Sequence, residues 1–334
     1  SIRSMRRRII GTALSTIQAP KQKRTTNTST IKQRNKNLTE RWDMSRNCFD
    51  YIIEAIPISM SGDHAKESQM IKLLQIARPQ FLISGLALFV FGASWAILLG
   101  APFSLSRILF GYLVLMPAHL SISYSNDYFD VEVDKYDKPT LFSGGSGILV
   151  NHPGLRKLAL WIAIALIVIS LMLGIAFRII YSFPIWFLGF AILGNLLGWF
   201  YTAPPLKLVY RGLGELSMIF SIGLLIPGFG YLVTSGRINQ DGFLFFIPFM
   251  LYGLAFILTV ELPDMESDRL GGKMTWVAQK GRSFGFTLIA ASFLFATLFF
   301  LLFPLTTSHN YPVDFGILGV LSLLPLGAGC IGLL

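Results

Sequence analysis

Eight long apolar runs divide this sequence, and they restrict its fold more than any other feature. Each run is long enough to cross the roughly 30 Å hydrocarbon core of a bilayer as an α-helix. Hydrophobic residues make up 53% of the chain and charged residues only 14%, a balance far from that of soluble domains. We therefore predict an all-α fold, a polytopic transmembrane helix bundle around a central cavity. The predicted spans are residues 81–99, 108–125, 158–176, 183–201, 213–233, 243–260, 284–305 and 315–334.

The chain is predicted to have two parts. Residues 1–70 form a basic, largely disordered tail, because the first 39 residues hold ten Lys and Arg but no Asp or Glu and bury little apolar surface. An organellar transit peptide has a similar composition and is the alternative. Residues 49–78 alternate apolar and charged positions, as an amphipathic surface helix or a plain linker would. Residues 71–334 form the transmembrane domain.

The net charge of +10 is concentrated near the N-terminus, where residues 1–78 hold 15 of the 28 Lys and Arg but 6 of the 18 Asp and Glu. The membrane body is nearly neutral, so we expect no nucleic-acid binding. Its loops nevertheless differ in charge. One side of the membrane receives only Arg107, Arg178 and Arg237, while the other receives Lys135, Lys138, Arg156, Lys157, Lys207, Arg211, Arg269, Lys273, Lys280 and Arg282.

The side rich in Lys and Arg is predicted to be cytoplasmic. We expect an integral membrane protein of a bacterial or archaeal plasma membrane, with its active-site loops in the cytoplasm. An organellar membrane is the alternative. The acidic residues of the body lie almost entirely in the loops of this same side, after the second and sixth spans.

The second span runs into the first acidic cluster, in the stretch SNDYFDVEVDKYD. Asn126, Asp130 and Asp134 are spaced by four residues. Each therefore advances by only about 40° around a helix, and the three side chains share one face. We predict an acidic stripe at the end of this span.

The sixth span runs into a second acidic cluster, in the stretch VELPDMESDR. Glu261, Asp264 and Asp268 fall within about 60° of one helical face. Glu266 is turned away from that face. Two such stripes, both at the ends of even-numbered spans, are unlike the solvated loop face that a single stripe would indicate.

The two stripes indicate a site for metal and phosphate. Carboxylates at this spacing repel one another, and close to a bilayer they need a compensating cation. Oxygen ligands without nearby His or Cys favour Mg²⁺, which binds through one or two carboxylates plus substrate phosphates. Basic residues just beyond the stripes would hold the remaining diphosphate oxygens, although the positive-inside rule explains them equally well. These residues are Lys135, Lys138, Arg269 and Lys273.

The two stripes resemble those of the UbiA superfamily of intramembrane prenyltransferases. The family's NDxxDxxxD motif is present from Asn126 to Asp134, and its DxxxD motif matches Asp264 to Asp268. The stretches SGGSGIL and YTAPPLKLVYRGLGE are similar to the 1,4-dihydroxy-2-naphthoate polyprenyltransferase branch, which makes menaquinone precursors. The family has nine transmembrane helices, so the resemblance implies that the C-terminus is truncated and the ninth helix is missing.

The resemblance implies Mg²⁺-dependent transfer of a polyprenyl group from polyprenyl diphosphate to an aromatic acceptor, expected to be 1,4-dihydroxy-2-naphthoate, within membrane lipid. The predicted catalytic residues are Asp130 and Asp264. The predicted Mg²⁺ ligands are Asn126, Asp127, Asp130, Asp134, Asp264 and Asp268. The predicted substrate-binding residues are Arg78, Lys138, Tyr201, Lys207, Glu261, Arg269 and Lys273.

Some of these residues have a second interpretation. Arg78, Tyr201 and Lys207 have the positions of interfacial anchors, which commonly flank membrane spans. Glu261 stands where the naphthoate branch commonly has Asn, so its role is left open between ligand, base and neither.

A cation-coupled transporter is the main alternative for the whole protein. Transporters place carboxylates near the middle of their spans, whereas the acidic residues here lie at span ends and in loops. A phospholipid head-group transferase also pairs aspartates with Mg²⁺, but a single clustered motif would suffice for it. We therefore favour the prenyltransferase.

Overall fold

The computed structural model describes residues 64–137, 140, 143–237, 240–306 and 311–333. These residues form helices and loops, with no β-strand among them, which confirms the predicted all-α class. Most of the predicted N-terminal tail and Lys138 lie outside the described residues. The last part of the predicted amphipathic segment forms a helix, His64–Ala77.

Nine helices longer than ten residues are found in the described part of the chain, and we number them in chain order. They are α1 His64–Ala77, α2 Pro79–Leu98, α3 Leu105–Phe129, α4 Arg156–Ile180, α5 Phe187–Thr202, α6 Gly214–Ser235, α7 Ile247–Gly271, α8 Arg282–Thr306 and α9 Phe315–Ile331.

Helices α2 to α9 coincide with the eight predicted spans. Six of them are long and apolar enough to cross a membrane, whereas α5 and α9 have only 16 and 17 residues. About 20 residues are needed for a straight crossing. The chain is thus a polytopic helix bundle, and the number of complete crossings within it stays a prediction.

Short helices and turns join the long helices on the side of the acidic clusters. The helix Val131–Asp134 follows α3, and Ile148–Asn151 and the 3₁₀ turn Pro153–Leu155 precede α4. The 3₁₀ turn Leu208–Arg211 lies between α5 and α6, and Trp276–Lys280 lies between α7 and α8. These segments place loop residues close to the ends of α3 and α7.

Helices α2 and α6 pack backbone against backbone. A Cβ atom added to Gly92 would lie 1.8 Å from the carbonyl oxygen of Pro227, and one added to Gly230 would lie 2.0 Å from that of Phe89. Only glycine permits this approach. Helix α6 also contains a π-helical segment, Ser221–Leu225, just before Pro227, and such irregular turns are common at functional sites.

The bundle packs through several buried aromatic clusters. One contains Phe89, Phe177, Phe187 and Phe229, and another is built around Trp95. Large apolar side chains are also exposed on the outer surface, including Ile179, Leu305 and Leu324, at 65%, 80% and 75%. Lipid is the environment that such a surface requires.

Candidate active site

A cavity of about 600 Å³ lies within the bundle, between α2, α3, α5, α6 and α7. One end is lined by the acidic residues of α3 and α7. The remainder is lined mainly by apolar and aromatic side chains, including Leu88, Val114, Phe190, Phe229 and Phe249. The cavity thus joins a charged end to an apolar interior, as an amphiphilic ligand requires.

The acidic residues at the end of α3 are almost fully buried. Asp127, Asp130 and Asp134 are 2%, 5% and 7% exposed. Arg78 donates to Asp127 over 3.2 Å, and the backbone N–H of Ser146 donates to the same oxygen over 3.4 Å. The Ser146 hydroxyl donates to the other oxygen of Asp127. This carboxylate is therefore compensated by a guanidinium and two neutral donors.

Two further residues from α5 and the turn after it reach the first stripe. The Thr202 hydroxyl donates to Asn126 over 3.0 Å. The Tyr210 hydroxyl donates to Asp130 over 2.7 Å. Sequence reasoning missed Tyr210, whose only signal was its place within the stretch that resembles the naphthoate branch.

The second stripe lies on one face of α7, as its spacing predicted. Glu261 and Asp268 are buried at 5% and 4% exposure, whereas Glu266 is 58% exposed and pairs with Arg282 over 2.8 Å. The backbone N–H of Gly144 donates to Asp264 over 2.6 Å.

Lys273 connects the two stripes. Its Nζ lies 2.9 Å from Asp130 and 3.8 Å from Asp268, and the side chain is only 14% exposed. Asp268 also accepts a hydrogen bond from the Thr275 hydroxyl over 3.1 Å. The positive charge of Lys273 therefore lies between the end of α3 and the end of α7. The carboxylates around it would attract a metal ion as well.

The glycine-rich loop Ser143–Gly147 packs onto both stripes. Gly144 donates to Asp264, and its carbonyl oxygen accepts from Arg78 over 2.7 Å. A Cβ atom added to Gly145 would lie 2.1 Å from a carboxylate oxygen of Asp134, so any larger residue would displace that carboxylate. The loop was noticed in the sequence for its resemblance alone, and its contacts with the acidic residues were not predicted.

Asp137 is a further cavity residue that sequence reasoning missed. It accepts from the Gly145 N–H over 3.3 Å, while its other oxygen is buried without a hydrogen bond from the described residues. Its signal was available, since it follows Asp134 by three residues and so continues the first stripe.

The electrostatics of the loop residues follow from this crowding. Burial, together with the neighbouring Asp127, raises the pKa of Asp134 to about 8. Burial alone would lower the pKa of Lys273, but the Asp130 and Asp268 carboxylates raise it well above its ordinary value. Burial and Asp130 raise the pKa of Tyr210. Lys273 is thus held as a cation and Tyr210 as a neutral hydrogen-bond donor.

The predicted substrate-binding residues divide into two groups. Arg78, Tyr201, Glu261 and Lys273 line the cavity. Lys207 and Arg269 do not. Lys207 is exposed, with its Nζ 5.1 Å above the Tyr210 ring, and Arg269 donates from Nε to the carbonyl oxygen of Ala278, which anchors the helix after α7.

Comparison with known protein families gives the identity of this arrangement. The model of the UbiA prenyltransferase family matches residues 86–328, which include both acidic stripes. This chain belongs to the UbiA prenyltransferase family. It is therefore an integral membrane enzyme that transfers prenyl groups, and the transporter alternative is set aside.

Relatives of this UbiA protein are known from bacteria and archaea. The 1,4-dihydroxy-2-naphthoate octaprenyltransferase of Bacillus subtilis is 28% identical over 233 residues, which cover 69% of this chain and 73% of the relative. A UbiA homolog from Archaeoglobus fulgidus, solved with GPP and Mg²⁺, superimposes with a TM-score of 0.56 at 16% identity, covering 78% of this chain and 86% of that one. Its complex with DMAPP and Mg²⁺ gives 0.54 at 16% identity, covering 78% and 85%.

The carboxylate oxygens of this UbiA protein suit a Mg²⁺ ion that a substrate also helps to bind. Among the described residues, no three His, Cys, Asp or Glu side chains are arranged to hold a metal ion by themselves. The available donors are hard carboxylate oxygens, spread over two stripes. Mg²⁺ commonly binds in this way, through one or two carboxylates together with phosphate oxygens and water.

Proposed function

We propose that this enzyme transfers a polyprenyl group from polyprenyl diphosphate to 1,4-dihydroxy-2-naphthoate. The observation that carries the proposal is the position of the two acidic stripes, which meet across Lys273 at one end of an apolar cavity. The naphthoate acceptor is taken from the Bacillus relative. The diphosphate and the metal are suggested by the ligands of the archaeal neighbours.

Mg²⁺ would be held by both stripes. Asn126, Asp127, Asp130 and Asp134 would provide one set of oxygen ligands, and Asp264 and Asp268 the other. When bound, Mg²⁺ neutralises the charge of the diphosphate and so makes it a better leaving group. Asp130 and Asp264 are the proposed catalytic residues.

Cationic side chains would complete the diphosphate site. Lys273 and Arg78 already lie among the carboxylates, so both can turn to phosphate oxygens as the carboxylates turn to metal. Lys138, Lys207 and Arg269 remain predicted ligands, and the last two would have to leave their present contacts.

The apolar part of the cavity would hold the prenyl chain. The allylic C–O bond breaks, and its electron pair leaves with the diphosphate. A ring carbon of the acceptor then forms the new C–C bond with its π electrons, and the proton on that carbon passes to the released diphosphate, which restores the aromatic ring. Aromatic faces near this point stabilise the cationic carbon, and Tyr201 lines the cavity close to Glu261.

The orientation in the membrane follows from the loop charges. The loops on the side of the acidic stripes carry most of the Lys and Arg of the membrane body. We propose that this side faces the cytoplasm of a bacterial or archaeal cell, where soluble substrates and Mg²⁺ are available.

The proposal is tested with membranes that contain the protein, labelled geranylgeranyl diphosphate and 1,4-dihydroxy-2-naphthoate, with either Mg²⁺ or EDTA. We expect a prenylated, lipid-soluble product that requires Mg²⁺ and is lost in Asp130→Asn and Asp264→Asn. Glu266→Gln is the control, because this acidic residue of α7 is exposed on another face. Product from other aromatic acceptors only would refute the naphthoate assignment, and product in EDTA would refute the metal.

A further inference from the structure

Glu261 is a buried carboxyl group, only 5% exposed. No backbone N–H, hydroxyl or cation of the described residues donates to its oxygens, and its hydrogen-bonding neighbour is a second carboxyl group. It lies on α7 three residues before Asp264, or about 4.5 Å deeper along the helix axis. The carboxylates of Asp264 and Asp268, by contrast, accept hydrogen bonds from Gly144 and Thr275.

A second buried carboxyl group, Glu215 at the start of α6, lies beside Glu261. It is fully buried, and one of its oxygens accepts from the backbone N–H of Trp276. Its other oxygen shares a hydrogen bond with the carboxyl group of Glu261. One oxygen of Glu261 is then left without a donor from the described residues. Burying such an oxygen without a partner is unfavourable, so a ligand with a hydrogen-bond donor would satisfy it.

The surroundings of Glu261 indicate what kind of ligand this is. Glu261 lines the cavity close to Tyr201 and Lys273. The wall of the cavity beyond the acidic residues is mainly apolar and aromatic. Such a wall suits a flat ring that presents a hydroxyl group, and the carboxyl groups of Glu215 and Glu261 would repel a carboxylate on that ring.

We propose that Glu261 accepts a hydrogen bond from a ring hydroxyl of the aromatic acceptor and thereby orients the ring toward the allylic carbon. The inference rests on the proposed prenyl transfer and adds to it the group that recognises the acceptor. Glu261 is a binding residue in this account. Glu215 supports it by holding the turn at Trp276 next to the start of α6.

The test compares Glu261→Leu with Glu261→Gln. Leucine removes both acceptor oxygens, whereas glutamine keeps one. Loss of a buried hydrogen bond to a ligand should lower kcat/KM for 1,4-dihydroxy-2-naphthoate by roughly ten- to hundredfold in Glu261→Leu, with partial recovery in Glu261→Gln. The KM for the acceptor should rise, while Mg²⁺-dependent binding of geranylgeranyl diphosphate should change by less than about twofold. Glu266→Leu is the matched control on the exposed face of α7.

The acceptor can be altered in the same experiment. The wild-type enzyme should prenylate at least one O-methyl ether of 1,4-dihydroxy-2-naphthoate roughly ten- to hundredfold less efficiently than the parent compound. Glu261→Leu should lose this preference. The binding of geranylgeranyl diphosphate shows whether the variant is folded, and the ether comparison in the wild-type enzyme needs no variant at all.

Several results would overturn the inference. These are full acceptor turnover in Glu261→Leu, equal turnover of parent and ethers by the wild type, or a defect of Glu261→Leu in diphosphate binding alone. Failure of the proposed function is distinguishable, because then the wild-type protein itself would bind geranylgeranyl diphosphate and prenylate none of these compounds.

Discussion

Replacing Lys273 with methionine tests how the two acidic stripes are held together. Lys273 contacts Asp130 at 2.9 Å and lies 3.8 Å from Asp268, and all three side chains are largely buried. Removing one partner of a buried ion pair leaves an uncompensated charge and typically costs about 3–5 kcal/mol. Methionine keeps most of the side-chain volume, so the loss is mainly electrostatic. We expect Lys273→Met to unfold at a clearly lower temperature than the parent in metal-free detergent or nanodiscs.

Mg²⁺ should reverse most of this loss, because a bound metal ion compensates the carboxylates that Lys273 leaves behind. Stabilisation by Mg²⁺ should therefore be larger in Lys273→Met than in the wild type. The control is Lys135→Met, which breaks an exposed ion pair with Glu132 and should leave the unfolding temperature unchanged. A Lys273→Met protein that is no less stable than Lys135→Met, or that gains nothing extra from Mg²⁺, would refute this reasoning.

Three further predictions concern the loops around the stripes. Gly145→Ala should lower kcat/KM at least tenfold in the prenyl transfer assay, because its Cβ would displace the Asp134 carboxylate, whereas Gly154→Ala, which meets open space, should have no effect. Tyr210→Phe should lower kcat/KM by roughly tenfold, since it removes the 2.7 Å hydrogen bond to Asp130, and an unchanged rate would contradict this role. The apparent affinity for Mg²⁺ in a titration should rise between pH 7 and pH 9. The pKa of Asp134 is raised to about 8, and this carboxyl group must lose its proton to bind metal. An affinity independent of pH would exclude Asp134 as a ligand.

The sequence predicted those features that the geometry of a single helix determines. The apolar runs predicted all eight helices of the bundle, because the length of such a run and the bilayer thickness leave few alternatives. The spacing of Glu261, Asp264 and Asp268 predicted one buried face of α7 and placed Glu266 outside it, because helical geometry alone fixes these directions.

Contacts between segments distant in the sequence were not predictable in this way. Gly144, Ser146 and Tyr210 contact the acidic residues only because loops fold back over the ends of α3 and α7. The position of a basic residue near a motif also did not predict where its side chain points. Lys273 and Arg269 both follow the second stripe closely, yet Lys273 points into the cavity and Arg269 anchors the next helix.

In the proposed function, substrate binding would exchange the partners of the acidic residues. Four of the acidic residues already have a cation or a hydrogen-bond donor from the chain: Asp127, Asp130, Asp264 and Asp268. This satisfies carboxylates that would otherwise be unfavourable so close to the bilayer. In the proposed function, these carboxylates would turn to Mg²⁺ while Lys273 and Arg78 turn to the diphosphate, so few charges would be created or left unpaired. Glu261 differs, because no cation, hydroxyl or backbone N–H of the described residues donates to it, and in our proposal the acceptor supplies that donor.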